Sequence, residues 1–236
     1  MTPSLPRSVG TGLAILATPF VVVAVAVMLF LNPIWVGFEQ ERSGVPALTG
    51  YTETQVRQVT GSILSDLVFG PPGFAVKANG SEVLDPRERS HMVDVRNVLF
   101  DLGLVALLAA VALAAVGVAS RGRSWFWRAV GIGSGVTIVG VAVVGIGFAI
   151  FFEQAFELFH ELFFSPGTYS FDPADEKLVQ LFPDQFWAET SVAIALAVLG
   201  LALLVWFAAR RLSVARLTVP AAGDIASGKR SPGLPR

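Results

Sequence analysis

Two histidines, His91 and His160, are the only imidazoles in the 236-residue chain, and both have acidic residues at helical spacing. Glu88 and Asp94 stand three residues before and after His91, and Glu157 stands three residues before His160. On a helix each of these carboxylates shares a face with an imidazole. A neighbouring carboxylate fixes the tautomer of an imidazole and raises its pKa from about 6.5. The pattern is typical of general acid–base catalysis by paired side chains.

The same residues leave two other interpretations open. Two histidines with a nearby carboxylate could hold zinc around an activated water, as a metal-dependent membrane lipid hydrolase would require. The chain has no H-E-x-x-H pattern, and its lack of cysteine excludes thiol nucleophiles and thiolate metal ligands. The remaining interpretation is a non-enzymatic membrane protein whose outer loops bind a partner protein.

The chain that must position these histidines has the composition of a membrane protein. It is 53% hydrophobic and 15% charged, whereas soluble domains carry about 25% charged residues. Soluble enzymes, disordered regulators and coiled coils are therefore excluded. Four segments are long and apolar enough to cross a membrane, and the first is too long for a cleaved secretory signal, so we expect it to be retained. The four predicted transmembrane helices cover residues 10–31, 98–120, 129–152 and 190–209.

The distribution of charge predicts how the spans are oriented. The N-terminus, the loop between the second and third spans, and the tail together hold ten of the 17 Lys and Arg residues but one of the 18 Asp and Glu residues. By the positive-inside rule both termini are cytoplasmic, and segments 32–97 and 153–189 face outward. The nearly neutral total charge of −1 gives no reason to expect a nucleic-acid partner. Residues 219–236, rich in Pro, Gly, Ser and Ala, are predicted to be a disordered cytoplasmic tail.

The outward segments are patterned enough to form a small helical extracytoplasmic cap. Residues 56–68 carry apolar side chains at helical spacing. Asp85-Pro86 predicts the start of a second helix, which we expect to run through His91 into the second span. In the other outward segment, the third span is predicted to continue as a helix to Phe164, and residues 174–181 to form a short amphipathic helix.

The two histidines are predicted to lie at the same height above the membrane. His91 precedes the second span by seven residues, and His160 follows the third span by eight. A helix rises about 10–12 Å over that distance. Adjacent helices would then bring the rings together at the outer membrane surface, in an active site that faces outward. Residues expected to line the pocket are Glu88, Asp94, Glu157, Phe159, Phe163 and Phe164.

Several motifs in these outward segments resemble those of a known family. Residues 88–96 match an E-x-x-H-M-x-D-V-[KR] pattern, and residues 159–164 match F-H-x-x-F-F. Downstream, residues 171–173 read F-D-P and residues 181–187 read L-F-P-x-x-F-W. Together with the four spans, these motifs resemble the bacterial lipoprotein intramolecular transacylases, a family of integral membrane proteins. The resemblance extends over roughly residues 10–210.

The resemblance implies a reaction and a pair of catalytic residues. The family's substrate is a lipoprotein whose N-terminal cysteine carries diacylglycerol and has a free α-amine. The enzyme moves the sn-2 acyl chain to that amine, which gives a lyso-form lipoprotein. Catalysis by two histidines without a metal or cofactor maps onto His91 and His160, so the expected partners are a diacylated lipoprotein and membrane lipid in the bacterial cell membrane. We assign His91 as the base, because Glu88 and Asp94 flank it, and His160 as the acid.

Overall fold

The computed structural model describes residues 6–71 and 73–215, which form an all-α protein with one small hairpin. Its elements in chain order are α1 (Arg7–Phe30), α2 (Pro33–Arg42), α3 (Val45–Thr49), α4 (Glu53–Val68), β1 (Lys77–Ala78), β2 (Ser81–Glu82), α5 (Pro86–Ala119), α6 (Ser124–Ile150), α7 (Phe152–Phe163), α8 (Lys177–Leu181) and α9 (Asp184–Ala215). Helices α1, α5, α6 and α9 are long and apolar enough to cross a membrane. The predicted four-span, all-α fold class is confirmed, and the predicted tail at 219–236 lies outside the described residues.

The four long helices pack into a bundle whose outer faces are apolar. Helix α6 packs on both α1 and α9, α1 also contacts α9 directly, and α5 packs on α1. Large apolar side chains such as Val118 and Leu204 are mostly exposed on the bundle, as expected for surfaces that contact lipid. Glycine allows α6 to approach α1 closely: a Cβ at Gly133 would lie 2.7 Å from the carbonyl oxygen of Ile15 on α1.

The remaining elements form a cap on one end of the bundle. Its hydrophobic core combines residues from α2, α3, α4 and α8 with the first turns of α5 and α9. Phe74, Ile63, Leu84 and Leu181 are its largest fully buried apolar side chains. The hairpin of β1 and β2 turns at Asn79-Gly80, where both residues have positive φ, the conformation that a two-residue hairpin turn requires.

Helix α5 crosses the boundary between cap and bundle without interruption. Its 34 residues are about 51 Å long, so it extends well beyond a hydrocarbon core of about 30 Å. The helix begins at Pro86 after an Asp85 cap and runs through His91, as the Asp-Pro pair predicts. The site therefore rests on the rigid, projecting end of a membrane helix.

The second outward segment differs from its prediction in two places. The third span does not continue as one helix to Phe164, because the chain breaks at Phe151 (φ −124°, ψ 49°) and α7 begins as a separate helix. The predicted helix over 174–181 is also shorter, since only Lys177–Leu181 is helical. The cause is a turn in which the backbone N–H groups of Asp175 and Glu176 both donate to the carbonyl of Asp172.

Candidate active site

The two histidines lie face to face between α5 and α7. Their ring centroids are 6.0 Å apart with an angle of 22° between the planes. His91 is 6% exposed and His160 is 9% exposed, so both rings are buried. His91 and His160, which are 69 positions apart in sequence, are thus close enough for both rings to contact the same small chemical group.

The orientation of His160 is set by its own helix. Its Nδ1 lies 2.7 Å from the carbonyl oxygen of Phe156, one turn earlier. A carbonyl oxygen only accepts hydrogen bonds, so Nδ1 is the donor and carries a proton. In the neutral ring the other nitrogen, Nε2, then has a free lone pair. His160 is therefore held as a proton acceptor.

His91 lies in a drier environment. Its ring is 4.8 Å from Phe164 and 5.4 Å from Phe171, measured between ring centroids. Its Nδ1 is buried, and no other described residue gives it a hydrogen-bond partner. An apolar enclosure disfavours a charged imidazole. His91 is thus suited to act as a neutral ring that donates or accepts one hydrogen bond from a ligand.

Glu88 has a structural role that its spacing from His91 does not reveal. Its carboxylate accepts hydrogen bonds from the backbone N–H of Asp85 and of Leu178, both at 2.6 Å. The first bond completes a capping box at the start of α5, and the second joins α5 to α8. The expectation that this carboxylate pairs with the imidazole of His91 is wrong, because its oxygens bond to backbone N–H groups and Nδ1 of His91 has no hydrogen-bond partner among the described residues.

The other two predicted carboxylates lie at the edge of the site. Asp94 is half-buried, and within residues 6–71 and 73–215 it makes no hydrogen bond or ion pair. Glu157 is exposed and lies 3.5 Å from the hydroxyl of Tyr169. Neither carboxylate forms an ion pair with a histidine, so the basis for assigning His91 as the base is absent from the structure.

Aromatic rings surround the imidazoles. Phe164 is buried and contacts both rings, with its centroid 5.4 Å from that of His160. The ring of Phe159 packs edge-on against that of His160 and also contacts Phe163. Phe159 and Phe163 are both partly exposed. The predicted phenylalanines therefore form a path from the imidazoles to the outer surface of α7.

Three aromatic residues of the site, Phe156, Tyr169 and Phe171, were not among the predicted pocket residues; the ring of Phe156 lies 4.3 Å from that of His160 between centroids. Tyr169 lies 5.1 Å from His160 between ring centroids, and Phe171 covers His91. Desolvation, followed by the nearby carboxylates of Glu157 and Glu161, raises the pKa of Tyr169, so its hydroxyl stays protonated. The F-D-P motif at 171–173 was the sequence signal for Phe171; nothing comparable marked Tyr169.

The family of the chain follows from comparison with known proteins. The model of the family "Lipoprotein intramolecular transacylase Lit" matches residues 12–187, which include both histidines and all of the cap. The chain belongs to this family. Its members' membrane-integral fold is seen in a structure of the transacylase from Bacillus cereus, with a TM-score of 0.79 and 23% identity over 90% of this chain and 98% of that one.

Other comparisons are consistent with membership of the transacylase family. A structure of the Bacillus cereus protein with one histidine mutated to arginine has a TM-score of 0.74 and 24% identity, covering 89% of this chain and 93% of that one. A protein of Aquifex aeolicus described as uncharacterized is 29% identical over 130 residues, or 55% of this chain. The chain spans 57% of the length of that curated relative.

A metal site requires a cluster of side chains that can bind the ion. Across residues 6–71 and 73–215, no group of three or more His, Asp and Glu side chains is arranged to hold a metal ion. The arrangement instead provides one oriented proton acceptor, one buried neutral imidazole and an aromatic enclosure.

Proposed function

We propose that the protein is an intramolecular lipoprotein transacylase of the bacterial cell membrane, with His91 and His160 as its catalytic residues. The observation that carries the proposal is the stacked pair of buried imidazoles, with centroids 6.0 Å apart. Two helices that are distant in sequence converge to make it. A transfer between two atoms of one lipid head is accelerated by a group that moves the proton, a donor that stabilises the developing negative charge, and shelter from water.

The substrate is a lipoprotein whose N-terminal cysteine carries diacylglycerol and a free α-amine. The amine nitrogen attacks the sn-2 ester carbonyl, the new amide C–N bond forms, and the bond from that carbonyl carbon to the glycerol oxygen breaks. The proton lost by the nitrogen ends on the glycerol oxygen. The products are an N-acyl cysteine and a free hydroxyl on the same molecule, so no water or cofactor is consumed.

The geometry favours His160 as the residue that moves this proton. Its Nδ1–H is bonded to the carbonyl of Phe156, which leaves Nε2 free to accept the proton from the amine and return it to the glycerol oxygen. His91, buried and neutral, donates a hydrogen bond to the carbonyl oxygen as negative charge develops there. These roles differ from those assigned from sequence: His160 now acts as both base and acid, and His91 is no longer the base, because Glu88 bonds to backbone instead of His91.

The aromatic path and the charge distribution support the location of the reaction. Phe159 and Phe163 extend from the imidazoles to the exposed face of α7, where acyl chains can enter laterally from the membrane. Ten of the 17 basic residues lie on the side of the two termini. By the positive-inside rule the termini are cytoplasmic and the histidine pair faces outward.

Expression in a strain that makes only diacylated lipoproteins tests the proposal. Mass spectrometry of lipoprotein N-termini is expected to detect N-acylated lyso-forms with the wild-type protein. His160→Ala is expected to reduce them at least about 100-fold, because a general acid–base residue contributes about 10²–10⁴ in rate. Gln154→Ala, an exposed change on the same helix α7, is the matched control and should behave as wild type.

Two outcomes would contradict the proposal. Release of fatty acid without an N-acylated product would indicate a lipid hydrolase. Full biological function of a His91→Ala, His160→Ala double variant at wild-type protein levels would indicate a non-enzymatic partner protein.

A further inference from the structure

A second polar cluster, which includes neither histidine, lies between α2 and α9. A groove of about 460 Å³ is bordered there by Glu39, Arg42 and Glu189, and its floor is formed by Ala188, Val192, Ala193 and Leu196 of α9. Val192 and Leu196 are 49% and 64% exposed. The groove thus has a charged end beside the cap and an apolar strip that runs along a membrane-spanning helix.

The charges in this groove are not balanced. The Arg42 guanidinium donates to one oxygen of Glu189 through Nε at 2.9 Å and Nη2 at 2.7 Å. Gln185 occupies the other oxygen of Glu189 at 2.9 Å. Glu39 is left with Arg42 at 3.8 Å, a distance too long for a hydrogen bond. One guanidinium therefore faces two carboxyl groups.

Glu39 is an unusual residue to find in such a position. It is 2% exposed, and its Oε2 has no hydrogen-bond partner among the described residues. Leaving a buried carboxylate without a donor is costly. Burial, a side-chain hydrogen bond with Glu189 and the negative charge of Glu189 raise the pKa of Glu39, and only Arg42 opposes this shift. Oε2 of Glu39 therefore lacks a donor, and a cationic donor beside it would keep this carboxyl group ionised next to Glu189.

We infer that the groove binds a phospholipid whose head group carries a primary ammonium, such as phosphatidylethanolamine. The ammonium supplies the missing donor to Glu39 and Glu189. The exposed edge of Arg42 faces the head-group phosphate, and one acyl chain lies along Val192 and Leu196. A choline head group has the same charge but no N–H donor, so it cannot form the hydrogen bond that Glu39 lacks.

This site has a structural consequence for the cap. Helix α2 contacts α9 through the Arg42–Glu189 pair and through a hydrogen bond from Trp35 Nε1 to Thr190 Oγ1 at 3.3 Å. A bound ammonium would add a third link between the same two helices. The lipid would then stabilise the attachment of the cap to the bundle, independently of acyl transfer at the histidines.

Native mass spectrometry of the full-length protein in detergent tests the inference. The probes are palmitoyl-oleoyl phosphatidylethanolamine and the phosphatidylcholine and phosphatidylglycerol with the same chains. We expect phosphatidylethanolamine to bind about tenfold more tightly than phosphatidylcholine, the effect of one charge-assisted hydrogen bond. Glu39→Gln and Glu189→Gln should each abolish this preference. Glu41→Gln, an exposed change on the same helix, should retain it.

Equal binding of phosphatidylethanolamine and phosphatidylcholine to the wild-type protein would overturn the inference. This comparison needs no variant, so it decides the matter even if Glu39→Gln does not fold. A preference that survives both substitutions would also overturn it. Displacement of the lipid by a diacylglyceryl-cysteine peptide, but not by its N-acetylated form, would assign the groove to the substrate amine and overturn the assignment to a phospholipid. None of these readouts depends on acyl transfer.

Discussion

Replacing Glu88 by glutamine tests the structural role of the carboxylate that joins the two motif-bearing segments. In the native protein this buried side chain accepts two backbone hydrogen bonds, from Asp85 and from Leu178. A glutamine has one oxygen to accept with, and its amide group presents N–H to the second backbone N–H. The substitution therefore removes one charge-assisted bond, weakens the other and places two donors against each other.

The cost of Glu88→Gln can be estimated from these two bonds. A hydrogen bond to a charged group contributes about 1.5–3 kcal/mol, and part of the loss is offset because an amide is easier to bury than a carboxylate. We expect a loss of about 2–3 kcal/mol in the free energy of unfolding. For a chain of this size that corresponds to a fall of about 5–10 °C in the thermal midpoint.

Thermal unfolding followed by tryptophan fluorescence in detergent measures this effect. Glu82→Gln is the matched control, because it makes the same change in charge at an exposed ion pair with Arg89, where N and O are 3.3 Å apart. Such surface pairs contribute at most about 1 kcal/mol, so its midpoint should fall by less than about 4 °C. Equal midpoints for the two variants would refute the structural role of Glu88.

Further substitutions test the helix packing and the aromatic enclosure. Gly133→Ala should lower stability by about 1–3 kcal/mol, because its Cβ would meet the Ile15 carbonyl oxygen at 2.7 Å. A Cβ at Gly135 would have no atom within 4 Å, so Gly135→Ala should leave the thermal midpoint unchanged or raise it. Equal thermal midpoints for the two glycine variants would contradict the close packing of α6 on α1. Tyr169→Phe keeps the ring beside His160 and should retain activity within about twofold, whereas Tyr169→Ala should lose up to about tenfold. Equal yields of lyso-form lipoprotein from the two Tyr169 variants would show that the aromatic ring beside His160 does not contribute to activity.

The parts of the structure that the sequence predicts correctly depend on local patterns. Apolar segments of about 20 residues, with Asp101 as the one charged residue in the four predicted spans, identify the membrane helices. The Asp-Pro pair fixes the start of α5 and, with it, the position of His91 on a projecting helix. Because both histidines are a similar number of residues from a span, helix rise predicts that they lie at a similar height. Helix rise does not predict that the two rings face each other.

The structural role of Glu88 could not be predicted, because it depends on a contact with a residue far away in sequence. A glutamate three residues before a histidine shares its helix face, but it also stands three residues after Asp85, where it completes a capping box. The sequence is compatible with both the pairing with His91 and the capping box with Asp85, and the structure contains only the capping box. The partner that decides between them, the N–H of Leu178, is 90 residues away.

The break at Phe151 was missed for a related reason. Residues 150–164 are apolar at helical spacing on both sides of that position, with no glycine or proline to signal an end. Helix α7 begins after the break and carries His160, whose ring stacks on that of His91 on α5. Tyr169 is likewise positioned by the fold of its loop.

A crossover experiment tests intramolecular acyl transfer most directly. Two synthetic diacylglyceryl-cysteine peptides of different mass, only one with a labelled sn-2 chain, are mixed with purified protein in the presence of a chelator. We predict that the label moves to the amine of its own peptide, and that this transfer disappears with His160→Ala. Label on the other peptide, or released as free fatty acid, would contradict the account.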